Sequence, residues 1–327
     1  DYYAINPEYG TMEDFITFLD AAHERGIMVI TDLVINHTSH LHPWFIEAGN
    51  PASLHHDWYI WSNIDPGYTG SWGQQVWFPH LGRYFYSTFS AGMPDLNYTN
   101  PEVTEQMLDV VRFWLEDVGV DGFRIDAAKH IIEEGEIQAN SDSTHEWWEE
   151  FRPSITMIDP EALILGEVWE NTEITAEYLQ GDEFDLSFEF WLAGAMIKSV
   201  KAGDAGLVND QVLLSYAEIP EMRFGTFLTN HDMDRVMSQL SDDDHKMKAA
   251  SSLLLTAPGV PFIYYGEEIG MQGDQSHEWM RRTMQWYEDL NGGFSTGTPW
   301  QPLGPAWEFY NVADETGDED SILSHYQ

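Results

Sequence analysis

Helix-periodic stretches alternate along this chain with short apolar runs that end in polar or charged residues, and this alternation restricts the fold more than any other feature. Thr11 to Arg25 reads as a helix. Thr11 can cap it, Asp14 holds the capping-box position, and Phe15, Phe18, Leu19 and Ala22 share a face. Gly26 stops it, Ile27 to Val34 follows as a strand, and the chain leaves that strand through Asn36 and His37. A second cycle has Glu102 to Val118 as a helix, with Met107, Val110, Val111, Trp114 and Leu115 on one side, then Gly119 to Asp126 as a strand. Further strands are predicted at Leu163–Glu167, Asp185–Phe190, Phe224–Asn230 and Val260–Tyr264, with helical stretches between them. Leu213 to Met222 can also be read as a loop.

Strands alternating with helices imply βαβ units, a parallel sheet and an α/β fold class. A (β/α)8 barrel builds its active site at the C-terminal ends of its strands, where this sequence carries Asp, Glu, His, Asn and Arg. The rival is a doubly wound open sheet. That fold normally places a Gly-rich phosphate loop after its first strand, and the sequence has none there. The cycle breaks from Thr38 to about Asn100, a stretch rich in aromatics, Gly and Pro. A connection this long should be a folded excursion, and it is read as a small second domain inserted after one strand. Ala313 to Asp320 is expected to be a solvated acidic segment before a last helix that begins near Asp320.

Composition excludes several classes of function. Acidic residues number 56 against 14 basic, a formal net charge of −42. Nucleic acid and anionic membrane surfaces both require clustered Lys and Arg, so neither is an expected partner. Self-repulsion at this charge is screened by salt, so the sequence fits either adaptation to a saline medium or a generally acidic secreted enzyme. The absence of cysteine rules out disulfides, thiolate metal sites and cysteine nucleophiles. No apolar run is long enough to span a membrane. Aromatic residues reach 14%. Most of them serve a core, and the excess leans toward carbohydrate, whose clefts use rings as flat platforms.

The chemistry concentrates at a few strand ends. In Gly119-Val-Asp-Gly-Phe-Arg-Ile-Asp126, Arg124 and Asp126 lie two apart on a strand and so share a face. An Arg beside an Asp keeps the carboxylate ionised, as a nucleophile needs. In Leu163-Ile-Leu-Gly-Glu167 the Glu emerges from a buried strand, and burial suits it to donate a proton. Asn230-His-Asp232 and Asp32-Leu-Val-Ile-Asn-His37 each add an acid and a His. Taken singly these are weak signals, because an isolated Arg–Asp pair or a strand-end Glu is more often structural. Together they match glycoside hydrolysis, in which one carboxylate attacks the anomeric carbon and another protonates the leaving oxygen.

These segments resemble glycoside hydrolase family 13, the α-amylase family. Its motifs occur here in order: Asp32–His37, Met93-Pro-Asp-Leu-Asn97, Gly122–Asp126, Gly166-Glu167, Asn230–Asp232 and Gly259–Glu267. The resemblance implies a retaining (β/α)8-barrel hydrolase. Asp126 would be the nucleophile, held by Arg124, with Glu167 as acid/base and Asp232 as transition-state stabiliser. His37 and His231 would contact the sugar, and Lys129 and His130 would lie on the leaving-group side. Asn36, Asp95 and the His130 carbonyl match positions that hold a structural Ca²⁺ in many members, and no organic cofactor is implied. The barrel would comprise residues 1–37 and 101–327 and the inserted domain B residues 38–100. The family's strands 1 and 2 and its β-sandwich domain C have no counterpart here, so the chain is expected to be truncated at both ends and, alone, unstable.

The motif wording narrows the expected substrate. Met93-Pro-Asp-Leu-Asn97 resembles a group intermediate between oligo-1,6-glucosidases and neopullulanases. Ala127 stands where 1,6-specific members tend to carry Val, and Lys129-His130 is an α-amylase-like pair. The implied substrate is an α-1,4-glucan such as starch or maltooligosaccharides. The alternatives are an α-glucosidase, an oligo-1,6-glucosidase, a trehalose-forming isomerase, or a non-catalytic barrel acting as an interaction protein. A polymeric substrate implies secretion, whereas imported dextrins would imply the cytoplasm.

Overall fold

A computed structural model describes residues 1–181 and 183–327. The chain divides into two compact units, the first comprising residues 1–168 and 177–187 and the second residues 169–176 and 188–327.

The first helix, Met12–His23, begins as its cap predicts: Thr11 and Asp14 exchange capping-box hydrogen bonds. Leu19 and Ala22 bury its inner face, while Phe18, expected there, is 57% exposed. Strand β1 (Thr31–Leu33) pairs in parallel with β5 (Gly122–Ile125), with Asp32 opposite Arg124. β5 pairs with β6 (Leu163–Gly166), and β6 with β7 (Leu186–Phe188) through Leu186 and Ser187. The predicted strands are all present but shorter than the apolar runs. The helix before β5 is α-helical over Pro101–Arg112, and a π-helical turn continues it to Val118. Met107, Val110, Val111 and Leu115 pack inward from it. Gly122 has φ +147°, and a Cβ there would lie 2.1 Å from the Leu163 carbonyl oxygen. Glycine at this position therefore lets β5 and β6 close at the start of their pairing.

Within the same unit, residues 38–100 hold a small antiparallel sheet in which β4 (Arg83–Tyr86) lies between β2 (Trp61–Ser62) and β3 (Trp77–His80). Val76, Trp77 and Tyr86 form its core. Backbone hydrogen bonds from Thr38 to Pro94 and from Leu96 to Asn36 tie this stretch to the segment that leaves β1.

In the second unit β8 (Phe224–Thr226) and β9 (Val260–Pro261) pair in parallel. Phe190, Ala193 and Phe227 form a core with Phe188, Met233 and Phe262 against it. The loop reading of Leu213 to Met222 is corrected: an α-helix spans Gly206–Glu218 and a 3-10 turn follows at Pro220–Met222. This helix leaves Leu207, Leu213 and Tyr216 exposed, so its sequence lacks a clean apolar stripe. The solvated reading of Ala313 to Asp320 fails at Glu315. That residue is buried, and its carboxylate accepts from the Leu323 N–H at the start of the last helix, Ile322–Tyr326.

A second buried acid has consequences for stability. Burial pushes the Glu267 carboxyl up to about 8, against the lowering effect of a 2.9 Å hydrogen bond from the Tyr326 hydroxyl. Below the ordinary Glu range both folded and unfolded chains hold this proton, so nothing is lost. Between that range and about pH 8 the folded chain keeps a proton that the unfolded chain has released, and stability falls as pH rises. Glu267→Gln is therefore expected to stabilise at pH 7, by on the order of 1–3 kcal/mol, and to change nothing at pH 4. Thermal melts across this range read the difference directly.

Candidate active site

In the first unit three acids converge on one guanidinium. Arg124 Nη1 donates to Asp32 Oδ1 and to Asp126 Oδ1, 2.8 Å each, and Nη2 lies 2.7 Å from Glu167 Oε1. The sheet register explains the convergence. Arg124 stands opposite Asp32 on β1, and Ile125 stands opposite Gly166 on β6. Asp126 and Glu167 therefore follow the last paired residues of adjacent strands. The ladder extends past both ends, because Asp126 N–H donates to Leu33 and Glu167 N–H to Ile125. Gly166 makes room, since a Cβ there would lie 2.7 Å from the Phe184 ring.

The electrostatics follow from this geometry. Burial works against the charge on Arg124, but Glu167, Asp32 and Asp126 outweigh it and hold the guanidinium charged above its usual range. Ala127, at φ +52°, turns its N–H onto Glu167 Oε2 at 3.3 Å. A non-glycine residue in this region is strained, and here the strained turn supplies the acid with a fixed donor. Burial lowers the pKa of His37, against the opposing pull of Asp126, so the ring is neutral near pH 7 and can exchange hydrogen bonds with hydroxyls.

Lys129 and His130 are buried in the turn after Asp126, and His130 Nδ1 donates to the Gln138 carbonyl at 2.6 Å. Phe89 packs edge-on to both His37 and His130, and Trp72 stacks on Phe89 at 5.9 Å. Trp72 is 60% exposed, which leaves an aromatic face beside these histidines. Motif reasoning missed both rings, because they lie in the irregular 38–100 stretch without a periodic pattern.

Asn36 and Asp95 also meet. His37 and Asp95 form a backbone bridge, and the Asp95 carboxylate accepts from Thr88 N and Oγ1 at 3.0 and 2.7 Å. Burial raises Asp95 to about 6, opposed by hydrogen bonds from Thr88, Asn36 and Glu133. Glu133 was not foreseen, and burial next to Asp95 raises its carboxyl well above the ordinary range. Asn36 Oδ1 and Glu133 Oε1 are buried acceptors without a hydrogen-bond donor. Two adjoining buried carboxyl groups and an orphan amide oxygen form an oxygen-only donor set of the kind hard cations take, so these residues fit Ca²⁺. Among the described residues no group of three or more His, Cys, Asp or Glu gathers as a metal cluster.

In the second unit Asp232 sits beside a guanidinium and two imidazoles. Arg281 Nη2 donates to its Oδ1 at 2.6 Å, His231 Nε2 is 3.1 Å from Oδ2, and His277 Nδ1 is 3.8 Å from Oδ1. Arg281 also donates to the His231 carbonyl, and Trp300 Nε1 donates to the Arg281 carbonyl. Nothing in the sequence pattern singled out Arg281, which lies 49 residues from its acid.

A model of the α-amylase catalytic domain matches residues 1–327. Alpha-amylase 3 of Dictyoglomus thermophilum is 38% identical over 339 residues, covering 100% of this chain and 64% of its own length. The trehalose synthase/amylase TreS of Mycobacterium tuberculosis is 35% identical over 91% of this chain and 58% of its own length. The chain thus spans less than two thirds of these curated relatives. Among solved structures, an α-amylase from H. orenii superposes with a TM-score of 0.89 at 42% identity, covering 100% of this chain and 67% of that one. These matches bear out the α/β fold of the (β/α)8-barrel class.

Proposed function

The chain belongs to the α-amylase catalytic-domain family, glycoside hydrolase family 13, and from that premise we propose that it carries the catalytic machinery of a retaining hydrolase of α-1,4-glucosidic bonds in starch and maltooligosaccharides. The observation that carries this reading is the single guanidinium of Arg124 in contact with both Asp126 and Glu167. One planar group touching both carboxylates favours the close spacing of a retaining pair, about 5–5.5 Å, over the wider gap that an inverting enzyme leaves for water.

In this reading the protonated Glu167 gives its proton to the glycosidic oxygen as an Asp126 carboxylate oxygen attacks the anomeric carbon. The leaving chain departs with that proton, and the glucosyl unit is left esterified to Asp126. Glu167, now a carboxylate, takes a proton from water as the water oxygen attacks the same carbon and releases Asp126. Two inversions retain the α configuration. Arg124 holds the Asp126 carboxylate in place for the first step. His37 holds a hydroxyl of the reacting sugar through its neutral ring. Lys129, His130 and the Trp72 face receive the leaving chain. A polymeric substrate fits a secreted enzyme.

Ca²⁺ would be held by Asn36, Asp95 and Glu133, with the His130 carbonyl as a further ligand, and would supply local rigidity by neutralising the buried carboxylates. EDTA is expected to lower the unfolding midpoint and added CaCl2 to restore it. Asp95→Ala should remove the response to both, read by calorimetry and independently of activity.

The function is tested by a product time course on starch and maltoheptaose, with the anomer followed by NMR and Glu167→Gln as control. Mixed α-configured maltooligosaccharides support the proposal, and glucose alone from chain ends would replace it with an α-glucosidase. The likeness to TreS favours one second reading, isomerisation of maltose to trehalose, which the same assay on maltose detects.

A further inference from the structure

The 38–100 stretch and the loop at 131–135 enclose a cavity of about 570 Å³ that none of Asp32, His37, Arg124, Asp126 or Glu167 lines. Its size lies within the range of small-molecule sites, about 300–1,000 Å³. Half-buried Trp61 and Tyr68 give it aromatic walls. Trp61 is fixed by stacking on Phe45 at 8° and on His56 at 22°.

Tyr59, Ser62, Asn97, Tyr98 and Thr99 spend their side chains on hydrogen bonds within the chain, but a few polar groups around these walls keep bonding capacity. The Trp77 indole N–H is buried with the Tyr68 hydroxyl beside it, outside full hydrogen-bonding geometry. At the rim, the Asp57 carboxylate and the Asn63 amide carry no hydrogen bond within the chain among the described residues. Arg83 spends Nη1 on His56 Nε2 at 2.9 Å. His56 can accept there because its Nδ1 donates to the Ala48 carbonyl at 2.7 Å. The remaining guanidinium N–H groups of Arg83 are left for a ligand.

A ligand that satisfies this set must present a flat apolar face to the rings and must both donate and accept around its edge. A pyranose does both. An anion would meet Asp57, Glu133 and the strong negative charge of the whole chain, and an organic cation on the aromatic walls would meet Arg83. We propose that this cavity is a second glucan-binding site, separate from the catalytic carboxylates, that holds glucosyl units of the polymer. The proposal rests on the glucan reading above.

The test is calorimetric titration of maltoheptaose into the full-length enzyme carrying Glu167→Gln, which binds without turnover. Two classes of site are expected. Adding Tyr68→Ala should abolish the weaker class and leave the other dissociation constant within about twofold. Asn63→Trp, made at an exposed rim position, should do the same by plugging the mouth without touching the core. In the Glu167-intact enzyme these two substitutions should leave kcat/KM on a short nitrophenyl maltoside unchanged and lower adsorption to granular starch at least threefold. A single class of site, or a second class that survives both variants, overturns the proposal and leaves the catalytic reading standing. No binding of maltoheptaose at all, with no turnover by the intact enzyme, overturns both.

Discussion

Glu167→Gln is expected to lower kcat on starch by about 10²–10⁴-fold, the usual contribution of a positioned general acid/base. The amide keeps the shape and can still accept from the Ala127 N–H, but it has no proton to give the leaving oxygen. Its loss should therefore depend on the leaving group. On α-maltosyl fluoride, whose leaving group needs little protonation, the first step should be nearly spared and the second should become limiting, so a glycosyl-enzyme accumulates. Asp126→Asn removes the nucleophile and should abolish turnover of both substrates alike. Stopped-flow kinetics and mass spectrometry of the intact protein distinguish the two variants. Equal loss on starch and fluoride for Glu167→Gln would mean that Glu167 is not the acid.

Arg124→Met is expected to be the most damaging single change outside the reacting carboxylates. Arg124 is nearly buried and serves Asp32, Asp126 and Glu167 at once. Removing the cation leaves the largely buried Glu167 and the partly buried Asp126 without their counter-charge, while Asp32 stays open to water. Breaking a buried ion pair from one side typically costs about 3–5 kcal/mol, and a destabilisation of that order should appear as a lower denaturant midpoint at unchanged slope. Activity should fall through kcat, since the acid and nucleophile lose their common tether. Arg124→Lys should recover little of either, because one ammonium cannot reach three carboxylates in the fork geometry of a guanidinium. Wild-type stability in Arg124→Met would show that the three acids do not depend on it.

The fold class and much of the catalytic constellation were legible because they rest on local rules. Strand residues alternate sides, so Arg124 and Asp126 had to share a face, and they do. The capping box at Thr11 and the strand end at Glu167 were equally local. Strand lengths were overestimated because apolar runs continue beyond the residues that pair. The second half of the Gly206–Glu218 helix was open to a loop reading because exposed Leu213 and Tyr216 blur the periodicity there.

Composition, periodicity and motif order by themselves determined the α/β class, the lack of cysteine chemistry in these residues, and the identity of the acids that end the strands. Only the tertiary structure decided which of those acids share a cation, because Asp32 and Arg124 are 92 residues apart and meet through strand register. It likewise decided that Glu133 adjoins Asp95, that Glu267 is buried and protonated near neutral pH, that Arg281 holds Asp232, and that a few polar groups with bonding capacity to spare surround an aromatic cavity away from the catalytic acids. Periodicity is a property of neighbours along the chain. Burial, charge pairing and unsatisfied hydrogen bonds depend on what the fold brings against a residue from elsewhere, and no local pattern encodes that.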